Sequence, residues 1–327
     1  MTESQQDSGS VGGDWDSISG LRRFSHNAMA TIFDIFIAYE DLRYAEQAAW
    51  AAFDEVDRLE AQLSRYVENS DISRISTSPA NQTVRIGLAA FECLQLNVKM
   101  CSETNGAFDV TIGSLYDCWL DKDKALRSPS QQELELARKR TGGNLLILDE
   151  SEHTVALCTD GVRIDLGGIG KGYAADKMAA LLREWGIDTA FISAGRSTVL
   201  PIGTPAGAKG WPVTLRNPRK PDEILAKFPL RDSALSGSGL AKGRHIIDPR
   251  SGRPVGGKIA AWASAKDAST ADALSTAFMV MSADEVERYC VLHPETPGLV
   301  IVEKDGEDGR TDVLRSGSWD DAGPKSL

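Results

Sequence analysis

Six residues near the middle of the chain, Gly167-Gly168-Ile169-Gly170-Lys171-Gly172, contain four glycines. A segment that alternates apolar and charged residues, Val162–Leu166, precedes them and reads as a strand. From about Tyr173 to Trp185 apolar residues recur at helical spacing, Gly186 stops that helix, and Ala190–Ser193 reads as the next strand. The order strand, glycine loop, helix, strand over residues 162–193 excludes an all-α or all-β chain. A loop of this kind turns backbone N–H groups and the positive end of a helix toward an anion. Glycine is required because a Cβ would keep phosphate oxygens from the backbone, and Lys171 adds a point charge. The spacing is neither GxxxxGK[ST] nor GxGxxG. A tight turn packed against a sheet is the plain alternative.

The same alternation continues outward. Thr31–Ala38 (TIFDIFIA) reads as a strand, and Asp41 as the N-cap of a long helix reaching Ser64, with Ala45, Ala49, Ala52, Phe53, Val56, Leu59 and Leu63 on one face. A second helix runs from Leu88 to about Thr104, where Asn105-Gly106 stops it. Residues 121–142 read as one surface helix plus loop. Further strands are expected at Leu145–Leu148, Thr154–Cys158, Val213–Leu215, Leu225–Leu230, Ala260–Ser264 and Leu299–Val302. Helices are expected at about Thr270–Met281 and Ala283–Leu292. The whole is α+β with antiparallel sheet. Met1 to about Leu21 reads as a disordered tail, polar and Gly/Ser-rich, and the chain turns polar again from Asp305.

A chain of 327 residues fits one large domain or two. With 36 basic and 47 acidic side chains the formal charge is −11, which excludes a protein that coats nucleic acid by neutralising phosphates. A single anionic ligand in a local basic pocket is still allowed. Five cysteines, with no CxxC and no nearby histidine at ligand spacing, argue against a disulfide framework or structural zinc. No apolar run is long enough to span a bilayer, and Met1–Gly20 lacks the basic start and apolar middle of a signal peptide. These features lead to the expectation of a cytoplasmic protein.

Four places hold candidate chemistry besides plain structural readings. Asp272 and Thr276 lie one helical turn apart on one face, a carboxylate and a hydroxyl of the hard-oxygen kind that Mg²⁺ prefers; alternatively Thr270 or Asp272 caps the helix. His245 lies between a turn-forming run, Ser236-Gly237-Ser238-Gly239, and Asp248-Pro249, where an imidazole suits proton transfer near neutral pH. Gly106–Gly113 contains Phe108 and can line a flat ring or form an ordinary loop. Met29 and Tyr66 carry the same ambiguity between core and cofactor wall.

The order of these pieces along the chain resembles the ApbE family, the FAD:protein FMN transferases. The matching stretches are Met29-Ala30-Thr31; Leu59–Tyr66 with Ser70–Arg74; Gly106–Asp109 with Thr111 and Gly113; Ile164–Asp176 (IDLGGIGKGYAAD); His245–Gly252 (HIIDPRSG); and Ala271–Ala277. The resemblance runs from about residue 24 to about residue 303. It implies T-fold-like mixed sheets with packed helices in a single large domain of two lobes, residues 22–304, between tails at 1–21 and 305–327.

The resemblance also implies an activity: Mg²⁺-dependent transfer of FMN from FAD to a threonine or serine hydroxyl of an acceptor flavoprotein, releasing AMP. Carried onto this sequence, Gly168, Asp272, Ser275 and Thr276 are the implied metal ligands. The FAD contacts are Met29, Tyr66, Ala107, Phe108, Asp109, Asp165, Lys171 and Ile247, and His245 handles the proton. The chain departs from the family pattern at three places. Gly195-Arg196-Ser197 stands where Gly-Gly-Asp is usual, Gly237-Ser238-Gly239-Leu240 where Thr-Ser-Gly-Asp is common, and Ala30 where glycine is usual. The alternatives are an FAD pyrophosphatase yielding FMN and AMP, and a flavin-binding protein without catalysis.

Overall fold

A computed structural model describes residues 15, 18, 20–121, 125–240, 245–304, 310–320 and 323–324. Its centre is one antiparallel sheet of eight strands. In chain order these are β1 (Leu21–Ala28), β2 (Thr31–Ala38), β3 (Ala190–Ala194), β4 (Thr198–Ile202), β5 (Ala234–Gly239), β6 (Lys258–Ala265), β7 (Gly298–Glu303) and β8 (Thr311–Ser316). Their spatial order is the same as their chain order, with every neighbouring pair antiparallel. Eight helices among the described residues are carried in the insertions between strands. α1 (Leu42–Leu63), α2 (Asp71–Thr77), α3 (Leu88–Glu103), α4 (Gly113–Trp119), α5 (Gln131–Lys139) and α6 (Gly170–Glu184) lie between β2 and β3. α7 (Ala268–Val280) and α8 (Ala283–Leu292) lie between β6 and β7.

Alternation along the strands gives the sheet two apolar faces. Phe33, Ile35 and Ile37 of β2 face a large core shared with α1, α6 and α7. Phe191, Val199, Leu235, Trp262 and Leu299 face a second core. It is closed by a two-stranded ribbon, Trp211–Asn217 with Lys220–Leu230. A third, small cluster joins Leu115, Cys118, Leu134 and Ala137 of α4 and α5 to Ile247. The α+β expectation therefore holds. α1 starts where expected, because the Asp41 carboxylate accepts from Arg43 N at 2.9 Å and Tyr44 N at 3.1 Å.

Several expectations are corrected. Val162–Leu166 is not a strand: only Arg163 forms a bridge, to Ile112, and the segment is otherwise extended chain leading into α6, which begins at Gly170 rather than Tyr173. Ser236–Gly239 is not a turn but the end of β5. Glycine fits that strand because Gly237 lies opposite Trp262, whose ring would be 2.6 Å from a Cβ there. Within the supposed N-terminal tail, Trp15 packs on Phe36 and Phe191 with ring centroids 4.3 and 4.9 Å away, and Leu21 opens β1. The stretch read as a C-terminal tail contributes β8, paired with β7 along its whole length. No helix among the described residues is long and apolar enough to cross a membrane.

Candidate functional site

A cleft of about 480 Å³ opens at the junction of the sheet and the helices. The β1–β2 and β3–β4 turns and the end of β5 form one side. The residues after α1, the Ala107–Asp109 loop, the start of α6 and the His245–Ile247 segment form the rest. Asp272 of α7 lies at the bottom, 2 % exposed.

Asp272 is free for this position because another residue caps the helix. Asp267 accepts from Thr270 N at 2.7 Å, so neither Thr270 nor Asp272 is the N-cap. From α6, Asp176 accepts from Ala268 N at 2.8 Å and Ser269 N at 2.9 Å, locking the two helices together. Burial raises the Asp176 carboxyl to about 6. Gly172 permits the contact: a Cβ there would lie 2.1 Å from the Ala268 carbonyl oxygen.

The Asp272 carboxylate collects donors from four places. Gly172 N donates to Oδ2 at 3.1 Å, Ser236 Oγ to Oδ1 at 3.1 Å, and Thr198 Oγ1 to Oδ1 at 3.4 Å. Lys171 Nζ lies 3.4 Å from both oxygens. A second group of hydroxyls sits beside it. Ser238 Oγ is 2.8 Å from Ser275 Oγ and 3.1 Å from Thr276 Oγ1, and the Ser275 and Thr276 hydroxyls donate to the Asp272 carbonyl at 2.9 and 3.3 Å.

This arrangement changes the meaning of the glycine loop. Two of its N–H groups serve protein carboxylates, Gly167 N donating to Asp165 at 2.8 Å and Gly172 N to Asp272, while Ile169 N and Gly170 N donate to the Leu166 carbonyl. A phosphate entering here meets a carboxylate already flanked by the Lys171 ammonium, and a further cation between the two anions would relieve their repulsion. The side-chain oxygens fit a hard divalent ion: one carboxylate, Asp272, and the Thr276 hydroxyl, with Gly168 packed closely enough on Thr276 that a Cβ there would lie 3.2 Å from Thr276 Oγ1. Among the described residues no cluster of three or more His, Cys, Asp or Glu side chains exists, so such an ion would complete its shell from phosphate and water.

The residues 29–299 match the ApbE family. The chain belongs to that family. Among its relatives, the FAD:protein FMN transferase of Escherichia coli (strain K12) is 25 % identical over 272 residues, 79 % of this chain and 77 % of the relative. That of Vibrio cholerae is 27 % identical over 271 residues, 77 % of this chain and 79 % of the relative. The solved ApbE protein from Thermotoga maritima superposes with a TM-score of 0.80 at 28 % identity, covering 90 % of this chain and 97 % of its own. The flavinyl transferase ApbE of Pseudomonas stutzeri, in its apo form, gives a TM-score of 0.82 at 21 % identity, covering 94 % and 98 %.

Of the thirteen site residues expected in this ApbE-family chain, twelve line the cleft: Met29, Tyr66, Ala107, Phe108, Asp109, Asp165, Gly168, Lys171, His245, Ile247, Asp272 and Thr276. Ser275 does not. Its fully buried hydroxyl supports the Asp272 backbone instead. Asp109 is tied back to Thr111, whose N and Oγ1 each lie 2.8 Å from Oδ1, and burial raises its carboxyl. Met29 sits at φ +50° in the β1–β2 turn, and its N–H donates to Glu60 at 2.8 Å. Tyr66 is 73 % exposed at the mouth.

Sequence reasoning missed several contributors. Arg65 bridges Asp165 at 2.9 Å and Asp117 at 2.6 Å, with its guanidinium 5.6 Å from the Tyr66 ring centre and 5.7 Å from that of Tyr116. Burial and the Asp165 charge push the Tyr116 hydroxyl up to about 12. Thr198 and Ser236, 2.8 Å apart, hold Asp272 from two neighbouring strands. Arg65 lay in the quoted Leu59–Tyr66 stretch and Ser236 in the run read as a turn, but neither was assigned this role, and nothing signalled Tyr116 or Thr198.

Proposed function

We propose that this chain is a Mg²⁺-dependent FAD:protein FMN transferase, moving FMN from FAD onto a threonine or serine hydroxyl of an acceptor protein and releasing AMP. Transferase relatives so named, and membership of the ApbE family over residues 29–299, support the reading. The observation that carries it is the buried Asp272 carboxylate beneath Lys171, at the bottom of a cleft with aromatic and apolar walls.

The metal would be held by Asp272 and Thr276, with main-chain oxygens of Gly168 and Ser275. When bound, it would neutralise diphosphate charge and polarise phosphorus. The chain's own groups do the rest. Met29, Tyr66, Phe108 and Ile247 enclose the flavin, and the Ala107–Asp109 loop fixes its depth. Asp165, held by Arg65, orients the glycine loop, and Lys171 balances charge at the bottom of the cleft. His245 accepts the proton of the attacking hydroxyl. An oxygen–phosphorus bond forms to the FMN phosphate as the bond to AMP breaks. We place the reaction in the cytoplasm, with an acceptor in the same compartment.

The test is incubation of the purified chain with FAD, Mg²⁺ and an acceptor protein. The expected products are AMP and a covalently fluorescent acceptor, both abolished by EDTA. AMP and free FMN without acceptor would instead identify a pyrophosphatase. FAD binding with neither product would identify a non-catalytic flavoprotein.

A further inference from the structure

Seven acidic or basic side chains of the described residues line the cleft, besides His245. Glu60, Asp109, Asp165 and Asp272 are acidic; Arg65, Lys171 and Arg196 are basic. All but one already have work inside the protein. Glu60 accepts from Met29 N and Asp109 from Thr111. Arg65 pairs with Asp165, and Lys171 with Asp272. The Arg196 side chain makes no hydrogen bond or ion pair with any described residue, and it is exposed at the rim.

The backbone at Arg196 deepens the point. It sits at φ +56° in the β3–β4 turn, a left-handed conformation that costs a side-chain-bearing residue about 1–2 kcal/mol. The turn is pinned on both sides. Gly195 N donates to Ile32 O at 2.9 Å, and Gly237 N donates to Ser197 O at 2.8 Å. Strain of this kind persists where the surroundings enforce it, and it gathers at ligand clamps. Two residues along the chain, Thr198 donates to Asp272. Two residues of even fully extended chain span at most about 7 Å, which is within the reach of an arginine side chain.

We infer that Arg196 is the specificity-determining cation of this cleft, binding the diphosphate of the dinucleotide from the sheet side, opposite the α6–α7 side that carries Lys171 and Asp272. This rests on the FAD reading above. The charge balance favours it: with Lys171 and Arg65 each matched to a carboxylate, a ligand bearing two negative phosphates has, among the described residues, one unmatched basic side chain to meet. A guanidinium also offers the forked geometry that phosphate oxygens accept in pairs.

The test is calorimetric titration of the chain with FAD and with riboflavin, which lacks phosphate, in Mg²⁺ without acceptor. The comparison is wild type against R196G. Glycine suits the observed φ, so the variant keeps or raises Tm. FAD affinity falls roughly tenfold or more in R196G, while riboflavin affinity stays the same. Equal FAD affinity in the two proteins overturns the inference, including the case where only acceptor turnover suffers, which would assign Arg196 to the acceptor. Equal losses for FAD and riboflavin also overturn it, because they report pocket shape rather than charge. A wild-type chain that binds no FAD removes the FAD reading and this inference together; a wild type that binds it as tightly as R196G removes only this one.

Discussion

Lys171 Nζ stands 3.4 Å from each oxygen of the Asp272 carboxylate, straddling it rather than pairing with one side. The carboxylate is 2 % exposed, so it has little water to fall back on. Asp272→Asn keeps the size and removes the charge. Transfer is expected to fall by about 100-fold or more, the usual scale for removing one group that stabilises developing charge. The Mg²⁺ concentration giving half-maximal rate should rise as well. A rate assay across a magnesium titration checks both.

Gly172 is where α6 meets α7. A Cβ would sit 2.1 Å from Ala268 O and 2.8 Å from Ser269 Cα, both backbone atoms with no soft side chain to yield. Gly172→Ala should therefore destabilise by about 3 kcal/mol, at the upper end for overpacking. Urea unfolding measures it. Unchanged stability would mean that the helices can separate at this crossing without loss.

The Asp176 carboxyl, raised by burial to about 6 from an ordinary 3.8, gives a pH dependence of defined sign. Between about pH 4 and 6 the folded chain holds a proton that the unfolded chain has released. Stability therefore declines as pH rises through this window, by at most roughly 3 kcal/mol from this group. Asp176→Asn should flatten that part of the profile. Melting curves at four pH values from 4 to 7 decide it, and an identical slope in the variant would remove Asp176 as the cause.

Trp15 ties the start of the described chain to the second core, packed edge-on or tilted against Phe36, Phe191 and Trp211, with its indole N–H donating to Pro212 O at 3.1 Å. Trp15→Ala should cost about 2 kcal/mol, below the 3–5 typical of a fully buried ring because this one is half-buried. Thermal unfolding should show a lower Tm. A chain starting at residue 20 should show the same drop, and no drop in either would make this contact dispensable.

What could be read from the chain followed from local signals. The face formed by Ala45, Ala49, Phe53, Val56 and Leu59 repeats at helical spacing whatever it packs on, and it is buried in α1. TIFDIFIA alternates between the two faces of the sheet in β2, Phe33, Ile35 and Ile37 toward the large core and Phe36 toward the second, as its β-branched and aromatic residues suit. Ser236–Gly239 misled because serine and glycine signal a turn locally, whereas their role is set by Trp262 on the next strand, 25 residues away from Gly237. Val162–Leu166 misled in the other direction. Its apolar residues are buried, Val162 and Ile164 at 0 and 1 %, but no strand runs alongside them except at the single Ile112–Arg163 bridge.

Residue type and spacing within a few turns determined the α+β composition and the main helix and strand periods, while the residues that gather at the cleft were legible only through the resemblance of their motifs to the ApbE family. Tertiary structure alone decided what the polar residues do to one another. It brought Thr198, Ser236, Lys171 and Gly172 onto Asp272 from three separate stretches of chain, assigned the helix cap to Asp267, and left Arg196 without a matching carboxylate among the described residues. The physical reason is that a carboxylate's environment is set by donors within about 3 Å of it. Distances on that scale between residues so far apart in sequence exist only once the strands have paired and α6 has packed on α7.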